Sequence, residues 1–334
     1  MVCSTIREIL VHTQQRYGAE DAIRYKVKKD TVEAKTYNQL KEDSESFSRV
    51  LEALGEKGSH IAVIGATSYS WLVAYFGTVN SGSVAVPLDA ALPAEGVCEL
   101  LDRADVTVLV ADEIRRDVME IVKDRCPKLK HLISMQKEAG DDAALSLWQL
   151  VEENRGAFDF VPDADALCTI MFTSGTTGKS KGVMLTQRNM AENATCLDMK
   201  IPERTVIMSV LPIHHAYCLS MDILKGISLG SIICINDSLL RVAKNIKLFQ
   251  PNMILMVPLM IETMAKKLEE SAWLPAAVVK AKVFGKQFHT ICSGGAYLNP
   301  AYIDMFARYG ITIQQGYGMT ECAPVISTNL SWNI

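Results

Sequence analysis

Residues 173–182, Thr-Ser-Gly-Thr-Thr-Gly-Lys-Ser-Lys-Gly, are the part of this 334-residue sequence best suited to chemistry. They combine three glycines, hydroxyls at Thr173, Ser174, Thr176, Thr177 and Ser180, and two lysines, Lys179 and Lys181. Glycines let a backbone come close to an anion and turn its N–H groups inward, hydroxyls add hydrogen bonds, and a lysine neutralises charge. That is what a polyphosphate requires. The apolar run Leu167–Phe172 reads as a strand entering the loop, and a helix is expected from Gln187. GxxxxGK[ST] would need glycine five residues before Gly178, where Thr173 stands, so the P-loop nucleotidases are disfavoured. A flexible polar loop is the bland alternative.

Three more segments hold candidate residues. Leu211–Tyr217 contains adjacent histidines, His214 and His215, which at a strand end read equally as solvated or core side chains. Consecutive strand residues face opposite ways, which disfavours a shared metal. Ser293-Gly294-Gly295-Ala296 follows an apolar strand and by itself reads as a turn into the helix after Pro300. Gln315-Gly316-Tyr317-Gly318-Met319-Thr320-Glu321, taken alone, is a glycine-rich turn.

Together, and in this order, these segments resemble the adenylate-forming, or AMP-binding, superfamily of acyl-CoA synthetases, peptide-synthetase adenylation domains and luciferases. The likeness runs from about Thr36 to Asn329 and is strongest to a bacterial-type fatty acyl-CoA synthetase, of which this would be the N-terminal portion only. It implies that Thr173, Ser174, Gly175, Thr176, Thr177, Gly178 and Lys181 hold the β- and γ-phosphates of ATP. Gly294, Gly295 and Ala296 would flank adenine, and Gly316, Tyr317 and Gly318 would carry the ring that packs on it. Thr320 would contact the α-phosphate, Glu321 would reach Mg²⁺, and His215 would sit at the acyl carboxylate. A ring offers a stacking face and a carboxylate is a hard ligand for Mg²⁺, so the residue types agree with these roles. Implied reactants are ATP, a fatty acid and coenzyme A. Rival readings are an aryl or amino acid adenylation domain and a non-catalytic AMP/ATP-binding module.

The sequence departs from the family pattern at Ser180, where proline is usual, and at His214, where an aromatic is usual. Val79–Asp89 resembles an early family motif and is read as packing. The ribose-binding Asp, the hinge, and the lysine of the small C-terminal domain are not found before Ile334, nor is a barrel subdomain. The chain therefore reads as a fragment, with little acyl-CoA synthesis expected from it alone.

The elements that position these residues are α/β. Apolar runs at 61–64, 84–88, 106–110 and 132–134 alternate with helical periods at 71–79, 94–102 and 114–122. After the loop, strands are expected at 206–210, 232–235, 253–256, 290–292 and 312–315. Helices are expected at 187–197, 219–228, 239–249, 259–270 and 300–308. Residues 136–144 read as a surface loop. Alternation of this kind means crossovers and mostly parallel sheets, in two wound units. The first would span 56–194; the second, as the family implies, would combine 1–55 with 195–334.

Composition narrows the function classes. A net charge of -4 with no basic block argues against nucleic acid as a partner. The longest apolar run, Met253–Ile261, is far short of the roughly 20 residues that span a bilayer. Nine cysteines without a CxxC pair read as reduced thiols of a cytoplasmic protein. Peripheral membrane contact and oligomeric state stay open.

Overall fold

The structure, a computed structural model, describes residues 2–136, 144–173, 180–197, 199–271 and 273–329. Unit one comprises residues 1–20, 36–192 and 212–215, and unit two residues 21–35, 193–211 and 216–334. Most of the expected loop at 136–144 lies outside the described residues.

Unit one is built on a seven-stranded sheet. Its order is β7 (Leu145–Ser146), β6 (His131–Ser134), β5 (Val106–Ala111), β3 (His60–Ile64), β4 (Val84–Leu88), β8 (Leu167–Thr173), β9 (Lys181–Thr186). Pairing is parallel except between β8 and β9. Every residue of β4 is buried, as a sheet covered on both faces demands. On one face Val97 and Leu101 of helix Ala94–Arg103 and Val118 and Val122 of helix Arg116–Arg125 join Ala62, Val86 and Leu109 in an apolar core. Each such side chain contributes about 1.5–3 kcal/mol on burial.

Helices α1 (Ile6–Tyr17), α2 (Tyr37–Ala53) and α3 (Tyr69–Asn80) also belong to this unit. Thr5 with Glu8, and Thr36 with Gln39, form capping boxes that satisfy the first N–H groups of α1 and α2. α2 packs on α1 and α3, and α3 packs on β3 and β4. Residues 1–20 and 36–55 therefore group with unit one, which differs from the expectation that 1–55 would join the second unit. Only the stretch between them goes to unit two, because its strand pairs there.

Unit two holds an eight-stranded sheet. The order is β15 (Val325–Thr328), β14 (Thr312–Gly318), β13 (Thr290–Ser293), β12 (Met253–Met256), β10 (Val206–Ser209), β11 (Ile232–Ile235), β1 (Asp21–Lys28), β2 (Thr31–Thr36). β1 enters it parallel to β11, with Ile23 opposite Ile233. From β1 to β14 the pairing is parallel, and β15 runs antiparallel to β14. The segment after Glu321 thus supplies a strand that the sequence pattern did not indicate. The helix expected at 219–228 is a π-helix over Cys218–Leu224 that continues as α over Lys225–Ser228. Such widened turns recur at functional sites because they displace side chains from the regular helical spacing. Among the described residues no helix is long and apolar enough to cross a membrane.

Candidate functional site

In unit one the glycine-rich segment is a hairpin connection, not the strand–loop–helix expected from the sequence. Thr173 ends β8 and lies opposite Lys181, the first residue of β9; helix Gln187–Cys196 begins only after that strand. Ser174, Gly175, Thr176, Thr177 and Gly178 lie outside the described residues. The bases of the loop are well held. Tyr75 Oη lies 3.1 Å from Thr169 Oγ1 in the buried part of β8, and Arg103 donates to the Ser180 carbonyl at 2.8 Å while its guanidinium lies over the Phe172 ring. Lys181 is exposed at the same end of the sheet, so it and Arg103 place two cations beside the loop.

His214 and His215 stand in a turn rather than on a strand. The opposite-faces argument against a shared site fails accordingly: their rings are 4.2 Å apart and tilted by 48°. His215 is exposed, whereas His214 is largely buried with Nε2 lacking a hydrogen bond among the described residues. Asp89 Oδ1 is 3.7 Å from that nitrogen. Burial first, then the neighbouring His215, push the His214 pKa down to about 4 against the pull of Asp89, so His214 is neutral at neutral pH. Among the described residues no group of three His, Cys, Asp or Glu side chains could hold a metal ion.

Unit two carries an open cleft of about 530 Å³ at the C-terminal ends of β13 and β14. It is lined by Gly295, Ala296, Tyr297, Gln315–Gly318, Ser327 and Asn329. Five of the expected residues, Gly295, Ala296, Gly316, Tyr317 and Gly318, therefore meet in one place. Tyr317 keeps 65% of its surface exposed, an available ring face. Gly294 is not in the lining but buried beside Tyr217, where an added Cβ would lie 2.9 Å from that ring. Its glycine answers to packing. Gly295 has φ +85°, a left-handed conformation that side chains other than glycine adopt with strain.

Thr320 and Glu321 sit on a 3-10 turn (Thr320–Cys322) just beyond β14. Gly318 is held so close to this turn that a Cβ would come within 2.2 Å of the Pro324 carbonyl oxygen. Met319 N–H donates to that same oxygen at 2.9 Å. From the helix before, Asn193 donates to the Cys322 and Val325 carbonyls at 3.1 and 2.8 Å and accepts from Val325 N–H at 3.2 Å. Ser220, in the π-helix, donates to the Ala323 carbonyl at 3.0 Å. Asn193 and Ser220 are positioning residues that sequence reasoning missed, since neither belongs to a motif. Glu321 is exposed on this turn, and one free carboxylate fits the way Mg²⁺ is commonly held, by one or two carboxylates, phosphate oxygens and retained waters.

Beneath Tyr217 the core of unit two is unexpectedly polar. Asp222 is fully buried; its Oδ2 accepts from Ser209 at 2.9 Å and has the Cys218 sulfur at 3.7 Å, and its Oδ1 has no partner among the described residues. Burial raises its pKa to about 7, with the Ser209 and Cys218 contacts opposing. Burial and the nearby Cys292, Asp222 and Cys218 raise the Tyr217 phenol well above its ordinary value, so that hydroxyl stays neutral.

A long-chain-fatty-acid–CoA ligase of Rattus norvegicus is 26% identical, covering 96% of this chain and 57% of its own length. A crotonobetaine/carnitine–CoA ligase of Salmonella heidelberg is 25% identical, covering 91% and 59%. The chain thus spans less than two thirds of these curated relatives. Among solved structures, an anthranilate CoA ligase in complex with anthranoyl-AMP superposes with a TM-score of 0.84 at 17% identity, over 99% of this chain and 62% of that one. The N-terminal domain of FACL13 from Mycobacterium tuberculosis superposes at 0.83 and 21%, over 98% and 79%. These two likenesses speak for the fold. The model of the AMP-binding enzyme family matches residues 10–333, nearly the whole chain, and the chain belongs to the AMP-binding enzymes.

Proposed function

We propose that the chain is the nucleotide- and carboxylate-binding portion of an ATP-dependent acyl-CoA synthetase that acts on a fatty acid. The observation that carries this reading is the open cleft walled by Tyr317 and the Gly295–Ala296 backbone, in a chain that the AMP-binding family matches nearly end to end. A carboxylate oxygen attacks the α-phosphorus, the bond to the β-phosphate bridge oxygen breaks, and pyrophosphate leaves with that oxygen. Coenzyme A sulfur, having lost its proton, then attacks the acyl carbon and expels AMP. Activation makes sense because a carboxylate oxygen is a poor leaving group and AMP a good one.

The residues act mainly by position and charge. Lys181 with the hydroxyls of 173–177 takes the β- and γ-phosphates, Tyr317 the base, Thr320 the α-phosphate, and His215 the acyl carboxylate. Mg²⁺, held at Glu321, neutralises phosphate charge when bound. The fatty acid is favoured by the rat relative's substrate, and the carnitine-acting relative keeps short polar acids in the test. All nine cysteines are free, which suits a reducing compartment such as the cytoplasm.

The test is carboxylate-dependent exchange of labelled pyrophosphate into ATP, run with long, short polar and aromatic acids. It compares this chain with one extended to the relatives' length. Exchange in the extended chain with long-chain acids is expected; exchange confined to aromatic acids would replace the fatty acid with an aryl substrate. Lys181→Ala should raise the half-saturating ATP concentration of the active protein about tenfold, since a lost charge-assisted contact is worth roughly 1.5–3 kcal/mol. An unchanged ATP dependence would remove Lys181 from the phosphate site.

A further inference from the structure

The cleft of unit two has a second exposed ring. Tyr297 lines it together with Tyr317 and keeps 82% of its surface exposed. A lone exposed tyrosine needs no explanation, but this one is fixed in place by its neighbours. Leu298, the next residue, is buried at 2% exposure, and Asn299 accepts from Ala301 N–H at 3.0 Å, tying the loop to helix Ala301–Ala307. On the other side Gly294 N–H donates to the Met256 carbonyl. The backbone is therefore pinned at both ends while the ring is held in the cleft without packing. Neither Tyr297 nor Tyr317 makes a ring contact or side-chain hydrogen bond among the described residues.

The rest of the lining is polar at one edge. Asn329 Oδ1 accepts from Gln315 N–H at 2.6 Å, which orients the amide and leaves its Nδ2 donors unused among the described residues; Ser327 also lines the cleft. Planar apolar faces combined with donors at the rim match a nitrogen heterocycle, whose ring nitrogens accept hydrogen bonds, better than an aliphatic chain. Resting on the nucleotide reading above, we propose that Tyr297 is a second base-binding residue, which with Tyr317 gives the purine two aromatic neighbours in one cleft.

The experiment is calorimetric titration of the chain, as wild type, Tyr297→Ala and Tyr297→Phe, with AMP and with ribose 5-phosphate. Stacking a base on one ring is worth roughly 1–3 kcal/mol, so Tyr297→Ala should weaken AMP about tenfold or more. Ribose 5-phosphate should be unaffected, so the preference for AMP over it falls by the same factor. Tyr297→Phe, which keeps the ring, should retain wild-type affinity. Equal AMP affinity in wild type and Tyr297→Ala overturns the proposal and leaves the nucleotide site intact. An equal loss for both ligands also overturns it, because the ring would then be supporting the loop. Failure of the wild type to bind AMP overturns both this inference and the function it rests on.

Discussion

The two units treat buried carboxylates differently. In unit one Asp43, Glu45 and Glu56 are each at most 4% exposed, and each has a cation. Glu45 pairs with Arg7 at 3.2 Å and Lys41 at 2.8 Å, Glu56 with Lys130 at 2.8 Å, and Asp43 with Arg155. At the edge of unit two Asp237 follows the same rule, with Lys26 at 2.5 Å. Asp222, in the middle of unit two, does not: among the described residues it has no ion pair. Moving a charge out of water costs several kcal/mol unless a partner offsets it. The buried carboxylates of unit one each have a cation beside them, whereas unit two holds one, Asp222, whose pKa burial without a cation raises to about 7.

Breaking a pair in unit one should have the largest effect. Arg7 also donates to the Phe158 and Phe160 carbonyls at 2.7 Å, so Arg7→Met leaves Glu45 with Lys41 alone and strands two backbone acceptors. A loss of about 3 kcal/mol is expected in urea unfolding at pH 7; a loss below about 1 kcal/mol would mean the pairing matters no more than a surface contact. Asp222→Asn should act in the opposite direction. Because the folded pKa is raised from 3.8 to about 7, the folded state binds the proton that the unfolded chain has lost. The contribution of Asp222 to stability is therefore full below about pH 4 and declines as pH rises to about 7. The asparagine variant should gain on the order of 2 kcal/mol at pH 8 relative to wild type, with a flatter profile between those limits. No gain would show that the charge is compensated by something other than protonation.

The smallest effect is expected at Glu56. Burial pushes its pKa up, but hydrogen bonds from Lys130, Thr107 and Ser59 outweigh that and lower it below the ordinary 4.5. A lowered carboxyl contributes stability above its unfolded value and loses it as pH falls through the folded one. Glu56→Gln should cost about 1 kcal/mol at pH 7, with the difference closing on acidification. If its difference from wild type instead grew at low pH, the contrast with Asp222 would collapse, since both acids would then behave alike.

Much of the fold was legible. β4, β11 and β12 coincide with the apolar runs read at 84–88, 232–235 and 253–256, because strands buried on both faces must be continuously apolar. β1 and β2 were not seen, since Asp21–Lys28 and Thr31–Thr36 alternate with charges as a partly exposed pair does. The capping boxes at Thr5 and Thr36 were visible signals for α1 and α2 that went unused. β9 was missed for another reason: only Leu185 of Lys181–Thr186 is buried, so the strand shows no apolar run long enough to announce it between the loop and the helix that begins, as expected, at Gln187.

Of the site, the residue types were readable and their surroundings were not. The glycine-rich segments, Tyr317 and Glu321 announce themselves because an anion, a base and a cation each restrict which side chains can serve, and their order along the chain is enough to indicate the family. Asp222 and Asn193 carry no such mark. One carboxylate among 38 acidic residues has its pKa raised to about 7 because the π-helix buries it with no ion pair among the described residues, and one asparagine becomes the clamp of the Glu321 turn only because Cys322 and Val325 come to it from more than a hundred residues away. The sequence by itself determined the chemistry on offer and the alternation of strands and helices, since both follow from local residue types. Burial, pairing and the ring that Tyr297 holds in the cleft were decided by tertiary structure, because desolvation and hydrogen-bond geometry depend on neighbours that are distant in the chain.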